Sequence, residues 1–172
     1  MTETKTILVV EDELDVQLYL KTVLEEAGFE VVTANNGKQA LDRIQERRPD
    51  LISLDLEMPQ MRGVKLLAYL QKNRDWAGIP FVIVTSHARD EIGRRDLEEM
   101  RAEKIMVGPH TFIEKPIVPS EYVGRIRAAL RAMPEGAGAT AEEGEILRRR
   151  ILERLDGATP DQLRAVLRVL GG

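Results

Sequence analysis

The sequence predicts an α/β fold: a five-stranded parallel sheet covered by helices on both faces, followed by a pair of C-terminal helices. Three observations carry this. Five short apolar runs, each the length of a buried strand, alternate with stretches of helical periodicity. The runs are apolar throughout rather than alternating, as strands buried on both faces require. Each is joined to its neighbours by a short loop, which favours crossover units of one hand.

The first run, Thr6-Ile7-Leu8-Val9-Val10, ends on the acids Glu11-Asp12-Glu13. From Leu14 the spacing is helical, with Val16, Leu20, Val23, Leu24 and Ala27 on one stripe and Gly28 placed to end it. A second strand, Phe29 to Ala34, turns at Asn35-Asn36-Gly37, where Asn36 can cap a helix carrying Ala40, Leu41 and Ile44. Pro49 stops that helix before the third strand, Leu51-Ile52-Ser53-Leu54, which ends on Asp55 and breaks at Pro59. Gly63 opens a third helix marked by Val64, Leu67, Ala68 and Leu70, and Trp76 follows it in a loop as a partly buried residue. Pro80 to Val84 is the fourth strand, ending on Thr85-Ser86-His87. The stretch from Ala88 to Gly108 is charged and only weakly periodic; it reads as a helix with Ile92, Leu97, Met100 and Ile105 inward. Thr111 to Glu114 is a short fifth strand before Lys115-Pro116, and a last helix with Tyr122, Ile126, Ala129 and Leu130 inward closes the unit near Met133.

Composition bounds the function. The chain has 172 residues, a net charge of -4 and no cysteine. Disulfides and thiolate metal sites are excluded, and the mild acidity argues against a nucleic-acid binder. The first residues show no secretory segment, and no apolar run approaches the roughly 20 residues of a membrane span, so a cytoplasmic location is expected. Residues 134–139 read as a Pro/Gly-rich linker and residues 140–172 as a helical hairpin. Its helices open with Thr140-x-x-Glu143 and Thr159-x-x-Gln162. Their stripes, Leu147-Ile151-Leu152-Leu155 and Leu163-Val166-Leu167-Leu170, must bury against something, and a homodimer through this hairpin is expected. Six arginines against seven acids over residues 134–172 are a poor charge balance for DNA.

The strand ends carry the chemistry. If the alternation is right, Glu11, Asp12, Asp55, Thr85 and Lys115 lie at one edge of the sheet, where parallel α/β folds bind ligands. Crowded carboxylates repel unless a cation joins them, and an open all-oxygen site suits Mg²⁺. A carboxylate nucleophile, a metal, a hydroxyl donor at Thr85 and a fixed cation at Lys115 are the equipment for moving a phosphoryl group onto Asp55.

With these pieces in order, the sequence resembles the receiver domains of two-component response regulators. The resemblance rests on Val10-Glu11-Asp12-Glu13, on Asp55-Leu56-Glu57-Met58-Pro59-Gln60-Met61-Arg62-Gly63, on Thr85-Ser86 and on Lys115-Pro116, and covers about residues 5–133. It implies a doubly wound sheet of the flavodoxin-like type. It implies that Asp55 accepts phosphate from a histidine kinase or histidine phosphotransfer protein, with Mg²⁺ on Asp12, Asp55 and the main-chain carbonyl of Glu57, and Glu11 acting through water. It also implies a switch pair of Thr85 and Phe112, a phosphoryl contact at Lys115, and a cis Lys115-Pro116 bond. Phosphoryl acceptance and aspartyl-phosphate hydrolysis would then be self-catalysed, with no other enzyme activity, and the signal would pass to an output protein by contact.

The sequence departs from the family pattern at three places. Arg62 stands where an acid or amide is common, in what reads as a tolerant surface loop. The interval from Thr85 to Lys115 is long, enlarging the fourth helix or its loop, and Pro109-His110 replaces small residues. His87 and His110 lack metal-ligand spacing, although His87 lies close enough to Thr85 to affect dephosphorylation. Arg94-Arg95 and Arg148-Arg149-Arg150 read as solvated faces. Two rival functions are weaker. A haloacid-dehalogenase-type phosphatase would carry its nucleophile near the first strand with a second Asp two residues on, where Glu57 stands here. A DNA-binding regulator would have to work through the short, slightly acidic tail.

Overall fold

The computed structural model describes residues 3–86, 90–105 and 112–131. Within these residues ten elements alternate: β1 (Thr6–Val10), α1 (Leu14–Glu26), β2 (Glu30–Ala34), α2 (Gly37–Glu46), β3 (Leu51–Leu54), α3 (Gly63–Lys72), β4 (Phe81–Thr85), α4 (Glu91–Ala102), β5 (Phe112–Glu114) and α5 (Pro119–Arg131). The strands form one parallel sheet in the order β2-β1-β3-β4-β5. The order reverses between β1 and β3, and at that point the connections leave toward opposite faces and open a crevice at the strands' carboxyl ends. The expected doubly wound sheet is therefore present. The linker at 134–139 and the hairpin at 140–172, with the homodimer expected of it, lie outside the described residues, as do His87, Pro109, His110 and Thr111.

Residue alternation in the strands splits the core in two. Ile7, Val9, Leu51, Val82 and Val84 face α1 and α5, where they meet Leu20, Val23, Leu24, Tyr122, Val123 and Ile126. Leu8, Val10, Ile52, Leu54 and Ile83 face the other way, toward Ala40, Ile44, Val64, Leu67 and Met100. The helix ends follow their local chemistry. Asn36 accepts from the Gln39 amide at 2.9 Å and starts α2, while Gly28 takes φ 93 after α1, a conformation without steric cost only for glycine. Tyr19, unnoticed in the apolar stripe of α1, is fully buried.

One polar contact ties α5 to the central strand. The buried Tyr122 hydroxyl donates to Ser53 Oγ at 2.7 Å. Removing it in Tyr122→Phe strands the Ser53 hydroxyl, so a loss of about 1 kcal/mol is expected. Chemical denaturation would register this as a lower midpoint with an unchanged slope.

Helix α4 differs from its reading. Met100 and Ile105 are buried as expected, but Ile92 and Leu97 are only half-buried, and the inward positions within the helix are Gly93, Asp96 and Met100. A carboxylate occupies the middle of its buried face.

Candidate functional site

Each strand end delivers one part of the site. The register sets Val10 beside Leu54 and Leu54 beside Ile83, so the residues just past β1 and β3 are neighbours. The Asp55 amide donates to the Val10 carbonyl at 3.0 Å, which holds Asp55 against the start of the Glu11-Asp12 turn. Ligand oxygens of Glu11, Asp12 and Asp55 can all lie within 4.8 Å of one another. Glu11 and Asp55 are buried, while Asp12 is half-buried at the opening. From β5, the Lys115 ammonium reaches Glu11 at 3.1 Å and Asp55 at 3.4 Å. The Lys115 amide donates to the Thr85 carbonyl at 2.9 Å, which seats the ends of β4 and β5 side by side. Lys115-Pro116 is cis, as the resemblance implied.

The loop after β3 is built to bring its backbone close. The Glu57 amide donates to Asp55 Oδ1 at 3.0 Å. Gly63 closes the loop, its amide donating to the Leu56 carbonyl at 3.0 Å. A Cβ at Gly63 would stand 2.6 Å from the Asp55 carbonyl oxygen, so only glycine fits. Thr85 is buried at the end of β4, and it shares the lining of a cleft with Leu56, Leu97 and Phe112. Phe112 is half-buried and packs on the core.

The electrostatics follow from placing several charges in one buried crevice. Burial, then the neighbouring Asp55 carboxylate, pushes Glu11 up to about 8, against the pull of Lys115. Burial also raises Asp55, opposed by Lys115 and by the Glu57 amide. Lys115 itself is raised, because the two carboxylates outweigh its burial, so it stays charged at neutral pH. An all-oxygen donor set whose charges are disfavoured until a cation arrives fits a hard divalent ion.

A pH dependence follows. The folded chain holds a proton on Glu11 that the unfolded chain releases near its ordinary value of 4.5. This contribution to stability is complete below about 4.5 and is lost as pH rises through about 8. Asp55 shifts in the same direction, whereas the window of Asp50, whose value is lowered, lies below this range. In chelator, the melting temperature should fall by roughly 5 °C between about pH 5 and pH 8. A flat or rising profile would contradict the geometry.

The sequence reading missed the partners of Arg62 and Arg95 and the burial of Asp96. Arg62, taken as a tolerant surface-loop residue, is the N-cap residue of α3 and pairs with Asp96, with Glu57 at 3.1 Å and with Glu99 at 3.2 Å. Arg95 is exposed as expected, yet reaches Glu57 at 3.7 Å and Asp96 at 3.8 Å. The signal for Asp96 was its spacing from Gly93 and Met100, which puts the three on one helical face.

Among the described residues, no helix is long and apolar enough to cross a membrane. Known proteins resemble this chain over most of its length. PhoB, the phosphate regulon transcriptional regulatory protein of Pseudomonas aeruginosa, is 34% identical over 144 residues, covering 83% of this chain and 59% of that protein. The Escherichia coli PhoB is 35% identical over 127 residues, covering 74% of this chain and 52% of that protein. The chain thus spans little more than half the length of these relatives. DivK, the polar-differentiation response regulator of Brucella anthropi, is 32% identical over 127 residues, and 96% of its length is covered. Among solved structures, the signal receiver domain of a signal transduction histidine kinase from Syntrophus aciditrophicus superposes with a TM-score of 0.65 at 29% identity. That match covers 80% of this chain and 98% of that one. The family of response regulator receiver domains matches residues 7–127. The chain is a member of that family.

Proposed function

We propose that Asp55 is the phosphoacceptor of a phosphorylation-controlled switch, taking its phosphoryl group from a histidine kinase or histidine phosphotransfer protein. The observation that carries this reading is the convergence of Glu11, Asp12, Asp55 and Lys115 at the crevice between β1 and β3. An Asp55 oxygen attacks phosphorus, and the bond from phosphorus to the donor nitrogen breaks with its electron pair leaving on the imidazole. The Glu57 amide and the Lys115 ammonium fix the carboxylate beforehand. Lys115 then stands where it can offset charge on the transferred group, and Thr85 adds a hydroxyl from β4. Asp12, Asp55 and the Glu57 carbonyl are the ligands proposed for Mg²⁺, with Glu11 acting through water; the ion would supply positive charge to the phosphoryl oxygens.

Transfer to Asp55 and later hydrolysis are the only reactions assigned to the chain, in the cytoplasm. The signal leaves by contact with an output protein through changes at Thr85 and Phe112. A homodimer through residues 140–172 remains part of this proposal, on the sequence pattern alone.

The test is uptake of one phosphoryl group from acetyl phosphate, read by intact mass with and without Mg²⁺. Asp12→Ala should slow the reaction by roughly two orders of magnitude, the scale of losing a few kcal/mol of charge stabilisation. The fold should survive, since Asp12 is half-buried at the opening and outside both core clusters. Equal labelling in chelator would overturn the metal assignment. Mg²⁺ should also flatten the pH dependence of melting, because a cation favours the ionised carboxylates.

A further inference from the structure

The charges around α4 form a second cluster that the phosphoryl chemistry does not use. One guanidinium, that of Arg62, meets three carboxylates: Asp96 and Glu99 on α4, and Glu57 on the loop after β3. The Asp96 side chain is 1% exposed, and its Oδ2 has no hydrogen-bond partner among the described residues. Such a carboxylate needs a cation, and Arg62 stands closer to it than the exposed Arg95 at 3.8 Å. Apart from it, the buried face within α4 offers Gly93 and a single large residue, Met100. Apolar burial therefore holds α4 weakly, and the pair with Arg62 holds it in place. Lys72–Glu103, at the other end of the α3–α4 groove, is an exposed pair at 3.5 Å and adds little.

The Arg62 Nη2 that meets Asp96 also reaches toward the phosphoacceptor, while Nη1 donates to Glu99. Glu57 donates its amide to Asp55 Oδ1 and gives its carboxylate to Arg62. A continuous line of contacts thus runs from Asp55 through Glu57 and Arg62 to Asp96. We propose that Arg62 is a positioning residue through which the state of the Asp55 site sets the placement of α4. When Asp55 gains a phosphoryl group, its oxygens change partners and the Glu57 segment shifts. Arg62, shared between Glu57 and Asp96, is redistributed, and the buried carboxylate of α4 follows its cation. The coupling is reciprocal, as any linkage between two sites must be. This inference rests on Asp55 being the phosphoacceptor.

The experiment is amide hydrogen exchange on the full chain, with and without beryllofluoride plus Mg²⁺ as the phosphoryl analogue. In the wild type, amides of both the Asp55–Glu57 loop and α4 should change rate on addition, those of α4 by threefold or more. In Arg62→Ala, α4 should exchange about tenfold faster before addition, as an undocked helix does. Its response to the analogue should vanish, while the loop amides still respond and β1 stays protected. A second variant separates docking from coupling. Arg62→Met with Asp96→Leu replaces the pair by apolar side chains, which should return α4 protection to within threefold of wild type without restoring its response. An α4 that responds normally in either variant would overturn the inference. So would a wild type whose loop responds while α4 does not. If neither loop nor α4 of the wild type responds, and acetyl phosphate leaves no label, the phosphoacceptor reading falls first and takes this one with it.

Discussion

Asp55→Asn is expected to abolish acid-labile phosphoryl incorporation from acetyl phosphate while leaving a folded, more stable protein. The loss of labelling should be complete within detection, because an amide nitrogen or oxygen at that position offers no anionic nucleophile. Loss of label alone would be ambiguous, since an unfolded protein would also fail to react. The thermal profile resolves this. Asp55 is the second cause of the raised Glu11 value after burial itself. Neutralising it should bring Glu11 down toward the ordinary range, shallow the fall of melting temperature with pH, and stabilise the metal-free protein at neutral pH by about 1 kcal/mol. Labelling that persists in the Asn variant would move the acceptor to Asp12 or Glu57 and defeat the assignment.

Gly63→Ala is expected to produce the largest loss of stability of any single methyl addition here. Its new Cβ would lie 2.6 Å from the Asp55 carbonyl oxygen and 2.8 Å from the Leu56 Cα, both backbone atoms that cannot swing aside. Overpacking against backbone costs roughly 3 kcal/mol, or about 10 °C of melting temperature in a domain of this size. Relief would require the loop carrying Asp55 to move, so phosphoryl uptake should fall along with stability. Gly37→Ala is the matching control. There the intruding methyl meets only the Met61 side chain, its closest atoms at 2.7 Å. A flexible thioether can yield, and alanine favours the helix by about 1 kcal/mol, so a near-neutral outcome is expected. Equal penalties at the two positions would show that the close approach at Gly63 is not what selects glycine.

The sheet was legible because its strands announce themselves twice, as apolar runs and as the bearers of acids at their ends. Leu51 to Leu54 could hardly be other than a buried strand, and Asp55 at its end needed only the proximity of Glu11 and Asp12 to acquire meaning. That proximity is a consequence of parallel topology, which the alternation of elements already implied. Helix α4 was harder for a physical reason. Hydrophobic periodicity finds a buried face by its apolar residues, and this helix turns a glycine, a carboxylate and one methionine inward. Arg62 was misread for the same reason in reverse, since a cation in a loop looks solvated until its partner is known to be buried. Sequence pattern records which residues prefer to leave water, not which charges have been taken out of it in pairs.

The division of the core by the sheet has a mechanical consequence. The side of the sheet toward α1 and α5 is filled by interlocking branched and aromatic residues from both helices. The opposite side is filled by α2 and α3 and thins only at α4, whose buried face holds Gly93, Asp96 and Met100. Core packing therefore anchors four of the five described helices on the two faces of the sheet and leaves α4 the least held by apolar contacts. A displacement of α4 would thus remake charge pairs at the cost of few apolar contacts.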